Sequence, residues 1–340
     1  MKYTFGATLA IVAISGVAWG GMTATEPVKV DHREITVVPQ PVKETMPTPV
    51  SIPKQTTLLF GGDVMLSRGI NDVMRKRNDF LYPFREIQEL TAEADIAVVN
   101  LEGPISSQGE NHGSIYSFRV DPRAIAGLIF AGIDVVTLAN NHTGDYGPEA
   151  LSETLELLRL ANIDVVGAGV KMADARKARF LEGNGLKIAF LGATPLSPSW
   201  LTRSDSTPAV APFDEQMMME DVVAARKQGA DIVAVLLHWG NEYETKHLPS
   251  QEEIAHHLVD AGATLIIGHH PHVVQEVERY NGGVIAYSLG NFVFDQNFST
   301  DTDHGLLLKV VLSGKDITGV EEIPIQFSRS YQPFWAKETF

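Results

Sequence analysis

Leu265-Ile266-Ile267-Gly268-His269-His270-Pro271-His272 (LIIGHHPH, residues 265–272) sets a dense histidine cluster directly behind a short apolar run. Four more runs end in a similar way. Leu58–Phe60 leads into Gly62-Asp63, Ile96–Val99 into Asn100-Leu101-Glu102, Val135–Leu138 into Asn140-Asn141-His142, and Ile232–Leu237 into His238. In an open α/β sheet, ligands gather in the crevice outside the carboxyl ends of the strands. One strand ending in polar residues says little, because every strand ends somewhere. Five that each deliver a carboxylate, an amide or an imidazole to one edge predict a metal-centred site.

The segments between these runs alternate accordingly. Strands are expected at 57–62, 95–100, 134–139, 164–166, 231–237 and 264–267, with helices at 122–131, 148–160, about 213–228 and 250–261. A further helix is expected to open at Pro83, with Phe84, Ile87 and Leu90 on one face. Asp121-Pro122 is a cap followed by an N1 proline, with Gly132 as the stop, and Ser250 with Glu253 has the spacing of a capping box. Asn184-Gly185 between Phe180–Glu182 and Leu186–Leu191 signals a hairpin. The stretch 273–328 reads as strands broken at Asn281-Gly282-Gly283 and Ser313-Gly314. Alternating β and α followed by hairpins implies two stacked sheets flanked by helices.

Composition narrows the chemistry. The 340 residues, 44% of them hydrophobic, can bury a full core as one large domain or two. The absence of cysteine excludes disulfides, thiolate ligands and a cysteine nucleophile, so any metal must be held by nitrogen and oxygen. A net charge of −15 argues against a nucleic-acid partner, which calls for a basic stripe.

Ahead of the alternating region, Lys2 precedes an uncharged apolar stretch from Phe5 to Met22. This is the pattern of a signal peptide, and at ~18 residues it also reaches the lower limit for a membrane anchor. Residues 1–25 are therefore read as one or the other, and the chain as exported, either membrane-anchored or periplasmic/extracellular. Pro27, Pro39, Pro41, Pro47, Pro49 and Pro53 mark residues 26–55 as an extended linker, leaving 56–330 as the folded domain.

The polar strand ends resemble a known pattern. Gly62-Asp63, Asn141-His142, the lone His238 and His270-Pro271-His272 are similar to the blocks of the calcineurin-like metallophosphoesterase superfamily. More narrowly, GGDVMLSRG (61–69), NLEGPIS (100–106), LANNHTGDYG (138–147), HWGNEY (238–243), IIGHHPHVVQ (266–275) and YSLGNFVFDQ (287–296) resemble the CapA-type poly-γ-glutamate capsule biosynthesis proteins. The resemblance implies an α/β, four-layer αββα sandwich of two mixed sheets flanked by helices. It implies one or two divalent metal ions (Mn, Fe or Zn) held by Asp63, Glu102, Asn141, His238, His270 and His272. Glu102 would be the bridging carboxylate, and His142 the general acid or leaving-group stabiliser. It also implies a role in making or exporting poly-γ-glutamate, with that anionic polymer and membrane-bound capsule synthesis proteins as partners. The alternative is a two-metal phosphoesterase or other hydrolase acting outside the cytoplasm.

The chemistry of the residues agrees with that ligand set: two carboxylates, three imidazoles and an amide oxygen suit a two-metal site. Two positions depart from the superfamily. Asp63-Val64-Met65 stands where Asp-x-His is expected, and a thioether is a poor ligand for hard cations; Glu102 stands where an aspartate is expected. His269 or Asp145 could complete the shell, although strand alternation points His269 to the opposite face. Arg68 is read as contacting an anionic substrate group, with a solvent-facing arginine the open alternative; Arg119 is a second cation available to a polyanion. Asn291, Asp295 and Gln296 are read as supporting the ligands, and His256 and His257 as facing solvent or a neighbouring helix. Gly167-Ala168-Gly169 does not complete a dinucleotide fingerprint.

Overall fold

A computed structural model describes residues 54–112, 115–196, 201 and 206–336. The expected signal peptide or anchor and nearly all of the proline-rich linker lie outside the described residues. The first half runs β1 (Gln55–Val64), α1 (Arg68–Arg77), α2 (Gln88–Ala92), β2 (Ile96–Leu101), α3 (Ile125–Phe130), β3 (Val135–Thr137), α4 (Gly147–Leu160), β4 (Asp164–Val166), β5 (Ala168–Gly169), α5 (Met172–Ala175) and β6 (Arg179–Gly183). Next come β7 (Leu186–Ala193), β8 (Ala209–Val210), α6 (Glu215–Lys227), β9 (Ile232–His238), α7 (Pro249–Asp260), β10 (Leu265–His269), β11 (Val277–Tyr280) and β12 (Gly283–Ala286). The chain closes with β13 (Asn291–Val293), β14 (His304–Ser313), β15 (Asp316–Phe327) and β16 (Pro333–Trp335).

Two mixed sheets carry the fold. One has the order β16-β15-β14-β1-β2-β3-β4, with β13 also pairing β1; the other has the order β11-β12-β10-β9-β7-β6. Period-two alternation sorts their side chains into three cores. Leu58, Phe60, Val98, Phe190, Leu236 and Ile267 fill the layer between the sheets. Leu59, Val99 and Val136 face the other way, onto Ile70, Met74, Leu128 and Leu151 of the helices. Val233, Val235 and Ile266 face outward onto Val222, Ala225, Ala255 and Leu258. Helix, sheet, sheet, helix is the order of layers, as the α/β reading expects. Among the described residues no helix is long and apolar enough to cross a membrane.

Most boundaries expected from the sequence hold to within a few residues, and the differences have local causes. Asp121 does cap its turn, accepting from the Arg123 backbone N–H at 3.0 Å, but Pro122–Ala124 is a 3-10 turn before α3 begins. The Ser250/Glu253 capping box is not formed. Pro249, with its preset φ and missing N–H, takes the N1 position, which moves the third helical position to Gln251. Its side-chain Oε1 accepts from the Leu248 N–H at 2.8 Å. β16 lies beyond the expected elements; it pairs with the edge of β15 through Ile325 and Trp335.

The carboxyl edges of the two sheets are joined by residues 287–291. Leu289 N–H donates to Gly268 O (3.2 Å) on β10, and Gly290 O accepts from Asp63 N–H (3.0 Å) on β1. Such close approach requires glycine. A Cβ at Gly62 would sit 1.9 Å from Gly290 O, and one at Gly268 would sit 1.8 Å from Tyr287 O.

Candidate metal centre

Every polar run end singled out in the sequence opens onto this junction. The β1–β2 register breaks between Phe60 and Asp63, a bulge that re-aims Asp63. Glu102 follows β2, its N–H donating to Val64 O at 2.8 Å. Asn140, Asn141 and His142 follow β3. His238 ends β9, in register with His269 at the end of β10. His270 and His272 then follow at φ of 100° and 58°. Positive φ at non-glycine residues costs of order 1–3 kcal/mol and persists where surrounding structure enforces it, most often at functional sites.

The side chains of the two sheets meet. Asn141 Oδ1 lies 2.8 Å from His238 Nε2. His272 Nδ1 lies 3.0 Å from Asn291 Oδ1 and 3.3 Å from Asp63 Oδ2, and His272 Nε2 is 3.7 Å from Glu102 Oε1. Donation from Nδ1 to Asn291 leaves Nε2, facing Glu102, as the nitrogen that offers a lone pair once its proton is displaced; this tautomer is assigned from the bonding pattern. Asp63, Glu102 and His238 offer ligand atoms all within 4.8 Å of one another, and so do Glu242, His270 and His272. Asp63 and Glu102 are at most 1% exposed and His238, His270 and His272 at most 7%.

Burial governs the charges. It pushes Glu102 well above the usual carboxylate range, a rise that His272 opposes and the charge of Asp63 reinforces. Burial would raise Asp63 too, but its hydrogen bond to His272 and that ring's charge hold it far below. For His272, burial disfavours the proton, yet Glu102 and Asp63 outweigh it and lift the pKa to about 9. Burial lowers His238 well below the ordinary histidine value and His270 to about 4, with neighbouring imidazoles adding to both.

These residues suit a divalent cation. Glu102 Oε1 and His270 Nδ1 are buried without a hydrogen-bond partner, an arrangement native proteins avoid unless another group satisfies it. The surrounding donors are nitrogen and oxygen, matching Mn, Fe or Zn. Supporting amides hold them. Asn100 Nδ2 donates to Asp63 Oδ1 at 2.7 Å and lies 3.2 Å from His238 Nδ1. Asn140 Nδ2 donates to Asn100 Oδ1 at 3.0 Å, and Asn140 Oδ1 accepts from the His142 N–H at 3.0 Å.

His142 sits at the rim. Its Nδ1 lies 2.8 Å from Asp145 Oδ2, its ring stacks on Phe118 at 4.0 Å, and its Nε2 is 3.8 Å from Glu102 Oε1. It lines a cavity of about 200 Å³ with Arg68, Glu242, Tyr243, His272 and Asp295. Arg68 is ion-paired to Asp295, and its guanidinium lies 4.9 Å from the Phe118 ring centroid.

Several expectations resolve differently. Asp145 serves His142 and the Phe118 N–H (2.7 Å) and lies in neither ligand group. His269 follows Leu265 and Ile267 into the layer between the sheets, with Nε2 3.3 Å from Gly61 O. Met65 is fully buried, and its sulfur accepts from Ser67 Oγ–H at 2.9 Å. Arg119 is occupied by the carbonyls of Gln108 and Gly109 and the Tyr146 ring, outside the cavity. Asn291 does support His272, whereas Asp295 holds Arg68. His256 stacks on Tyr280 and reaches Glu278 Oε1 at 2.9 Å, remote from the centre. Sequence reasoning gives no role to Asn100, Asn140 or Glu242, although each lies inside a motif quoted above.

Comparison with known proteins places these residues in a family. Residues 57–296 match the model of the bacterial capsule synthesis protein PGA_cap. The chain is 35% identical over 253 residues to the PGA biosynthesis protein CapA of Bacillus subtilis (strain 168), covering 73% of this chain and 66% of that one. It is 32% identical over 261 residues to the capsule biosynthesis protein CapA of Bacillus anthracis, covering 75% and 63%. The match thus spans less than two thirds of either relative. Among solved structures, a hypothetical protein from Thermus thermophilus has the same fold, with a TM-score of 0.51 at 16% identity over 80% of this chain and 99% of that one.

Proposed function

The chain belongs to the bacterial capsule synthesis protein PGA_cap family, and from that premise we propose that it is an exported, metal-binding component of poly-γ-glutamate capsule biosynthesis or export. The observation that carries the metal is the convergence of Asp63, Glu102, Asn141, His238, His270 and His272 around buried ligand atoms without partners. Both sheets contribute ligands, so the centre is built into the fold. The polymer and membrane-bound capsule synthesis proteins are the proposed partners.

The His142–Asp145 pair favours a second reading, a metal-dependent phosphoesterase or other hydrolase acting outside the cytoplasm. A bound divalent cation would supply Lewis-acid polarisation of a phosphoryl or carbonyl oxygen. Asp145 Oδ2 accepts a hydrogen bond from His142 Nδ1–H, which fixes the ring and leaves Nε2 directed at the centre. From there Nε2 can hold or deliver a proton to a leaving group. Arg68, braced by Asp295, orients an anionic substrate at the mouth of the cavity.

Elemental analysis of protein purified without chelators tests the first reading. We expect one or two equivalents of Mn, Fe or Zn per chain. Protein that stays metal-free after incubation with each ion would refute it. For the second reading, wild type and His142→Ala would be assayed with metal on a phosphomonoester, a phosphodiester and poly-γ-glutamate; equal background rates reject turnover.

A further inference from the structure

We propose that Glu242, on the loop between β9 and α7, is a metal ligand that joins His270 and His272 in holding one of the cations, doing the work that Met65 cannot. The inference rests on the metal centre described above and extends it by a residue outside the six-ligand set.

Three independent features support it. First, a ligand position is unfilled at Asp63-Val64-Met65, because the Met65 sulfur is turned into the core and occupied by Ser67. Second, the carboxylate of Glu242 and ring nitrogens of His270 and His272 already lie within 4.8 Å of one another, while His270 Nδ1 is buried with no partner. Third, the loop that carries Glu242 is tied to the histidine segment. Trp239 N–H donates to His269 O at 3.0 Å and Tyr243 N–H to Pro271 O at 2.8 Å. Gln275 Nε2 then donates to Glu244 O at 2.6 Å.

The backbone at Tyr243 has a positive φ of 65°, as His270 (100°) and His272 (58°) also do. Strain shared by two segments that are also bonded together indicates a constraint on where their side chains point. A solvated surface glutamate would not need it. Glu242 is exposed, so its carboxylate can reorient onto a hard cation, exchanging its hydration for the ion as it binds; carboxylate oxygen is a favoured donor for Mn and acceptable to Fe and Zn. The substitution of carboxylate for imidazole also lowers the charge of the loaded centre by one, which tempers its pull on anions.

Manganese binding to the full chain would test this with readouts independent of turnover. Wild type, Glu242→Gln, Glu242→Ala and the loop control Glu244→Ala would be loaded with Mn²⁺, desalted, and examined by elemental analysis and electron paramagnetic resonance. Both Glu242 variants are expected to lose one equivalent, or to bind one ion at least about ten-fold more weakly, while Glu244→Ala matches wild type. Any exchange-coupled manganese signal should collapse to that of an isolated ion. Unchanged stoichiometry, affinity and spectrum in both variants would overturn the role of Glu242 and leave the six-residue centre standing. Wild type that binds no manganese, iron or zinc would overturn both. Thermal melting of chelator-treated proteins would confirm that an exposed side chain has been removed without unfolding the rest.

Discussion

Asn141 Oδ1 stands 2.8 Å from His238 Nε2, so the end of β3 in one sheet touches the end of β9 in the other. Neither atom belongs to a surface network, and both are of the type that ligates divalent ions.

Removal of ligands should therefore separate sharply from removal of bystanders. Asp63→Ala, His238→Ala and His272→Ala are each expected to lower metal content by at least about ten-fold under limiting metal. His256→Ala, which loses only Tyr280 and Glu278 contacts, should retain it. Wild-type metal in all four variants would place the site elsewhere.

The amide behind His272 should matter almost as much. Asn291→Leu removes the acceptor that directs Nε2 of His272 toward Glu102. Loss of such an outer partner costs about 10–100-fold in metal affinity. Chelator competition would measure this, and an affinity within a factor of two of wild type would argue against the tautomer assigned here.

Proton and metal should compete, with a definite sign. His272, lifted to about 9, is protonated at neutral pH until a cation displaces that proton. Apparent metal affinity should then rise with pH toward about 9, by roughly ten-fold per unit for each proton released. Stability of chelator-treated protein should move the opposite way. A histidine with a raised pKa contributes stability fully below its unfolded value of 6.5, and that contribution is lost as pH climbs through about 9. Urea titrations and metal titrations at pH 6, 7.5 and 9 would compare the two slopes; flat profiles in both contradict the assignment.

His142→Ala should spare the metal and act on turnover instead. If the hydrolase reading holds, rates fall by ~10²–10⁴-fold, the usual worth of a positioned acid–base group. A variant that hydrolyses as fast as wild type would remove His142 from the chemistry, and a normal capsule in cells carrying it would leave the pocket a binding role alone.

The glycine junction gives a stability test. Gly62→Ala forces a Cβ against the Gly290 carbonyl and should destabilise by at least about 1–3 kcal/mol, the cost of overpacking a rigid site. Gly61→Ala meets only side chains, the nearest at 3.0 Å, and should cost less. Equal denaturation midpoints for the two would show that the junction yields.

Much of this was legible in the sequence because strand ends concentrate it. Asp63, Glu102, Asn141, His238, His270 and His272 each follow an apolar run, and in a sheet that adjacency becomes proximity at one edge. Glu242 escaped because it lies four residues past His238 on an irregular loop, where no periodicity states which way a side chain points. Asn100 was hidden by the reverse effect. It sits inside β2, fully buried, where an amide is meaningful only through partners contributed by β1 and β9. The capping of α7 failed as an expectation because two rules competed there, and proline at N1 outranked the serine that follows it.

The seam at residues 287–291 has a mechanical consequence. Asp63, Glu102 and Asn141 ride on one sheet and His238, His270 and His272 on the other, so the gap between ligands is the gap between layers. The centre is in effect a caliper whose jaws are set by Phe60, Leu236 and the other side chains packed between the sheets. Ions differ in the bond lengths they accept, so shaving that filling should retune which metal is preferred without touching a ligand. Phe60→Leu would then change the ratio of manganese to zinc taken up from an equimolar mixture, and a ratio identical to wild type would show that the jaws are set by the glycine junction alone.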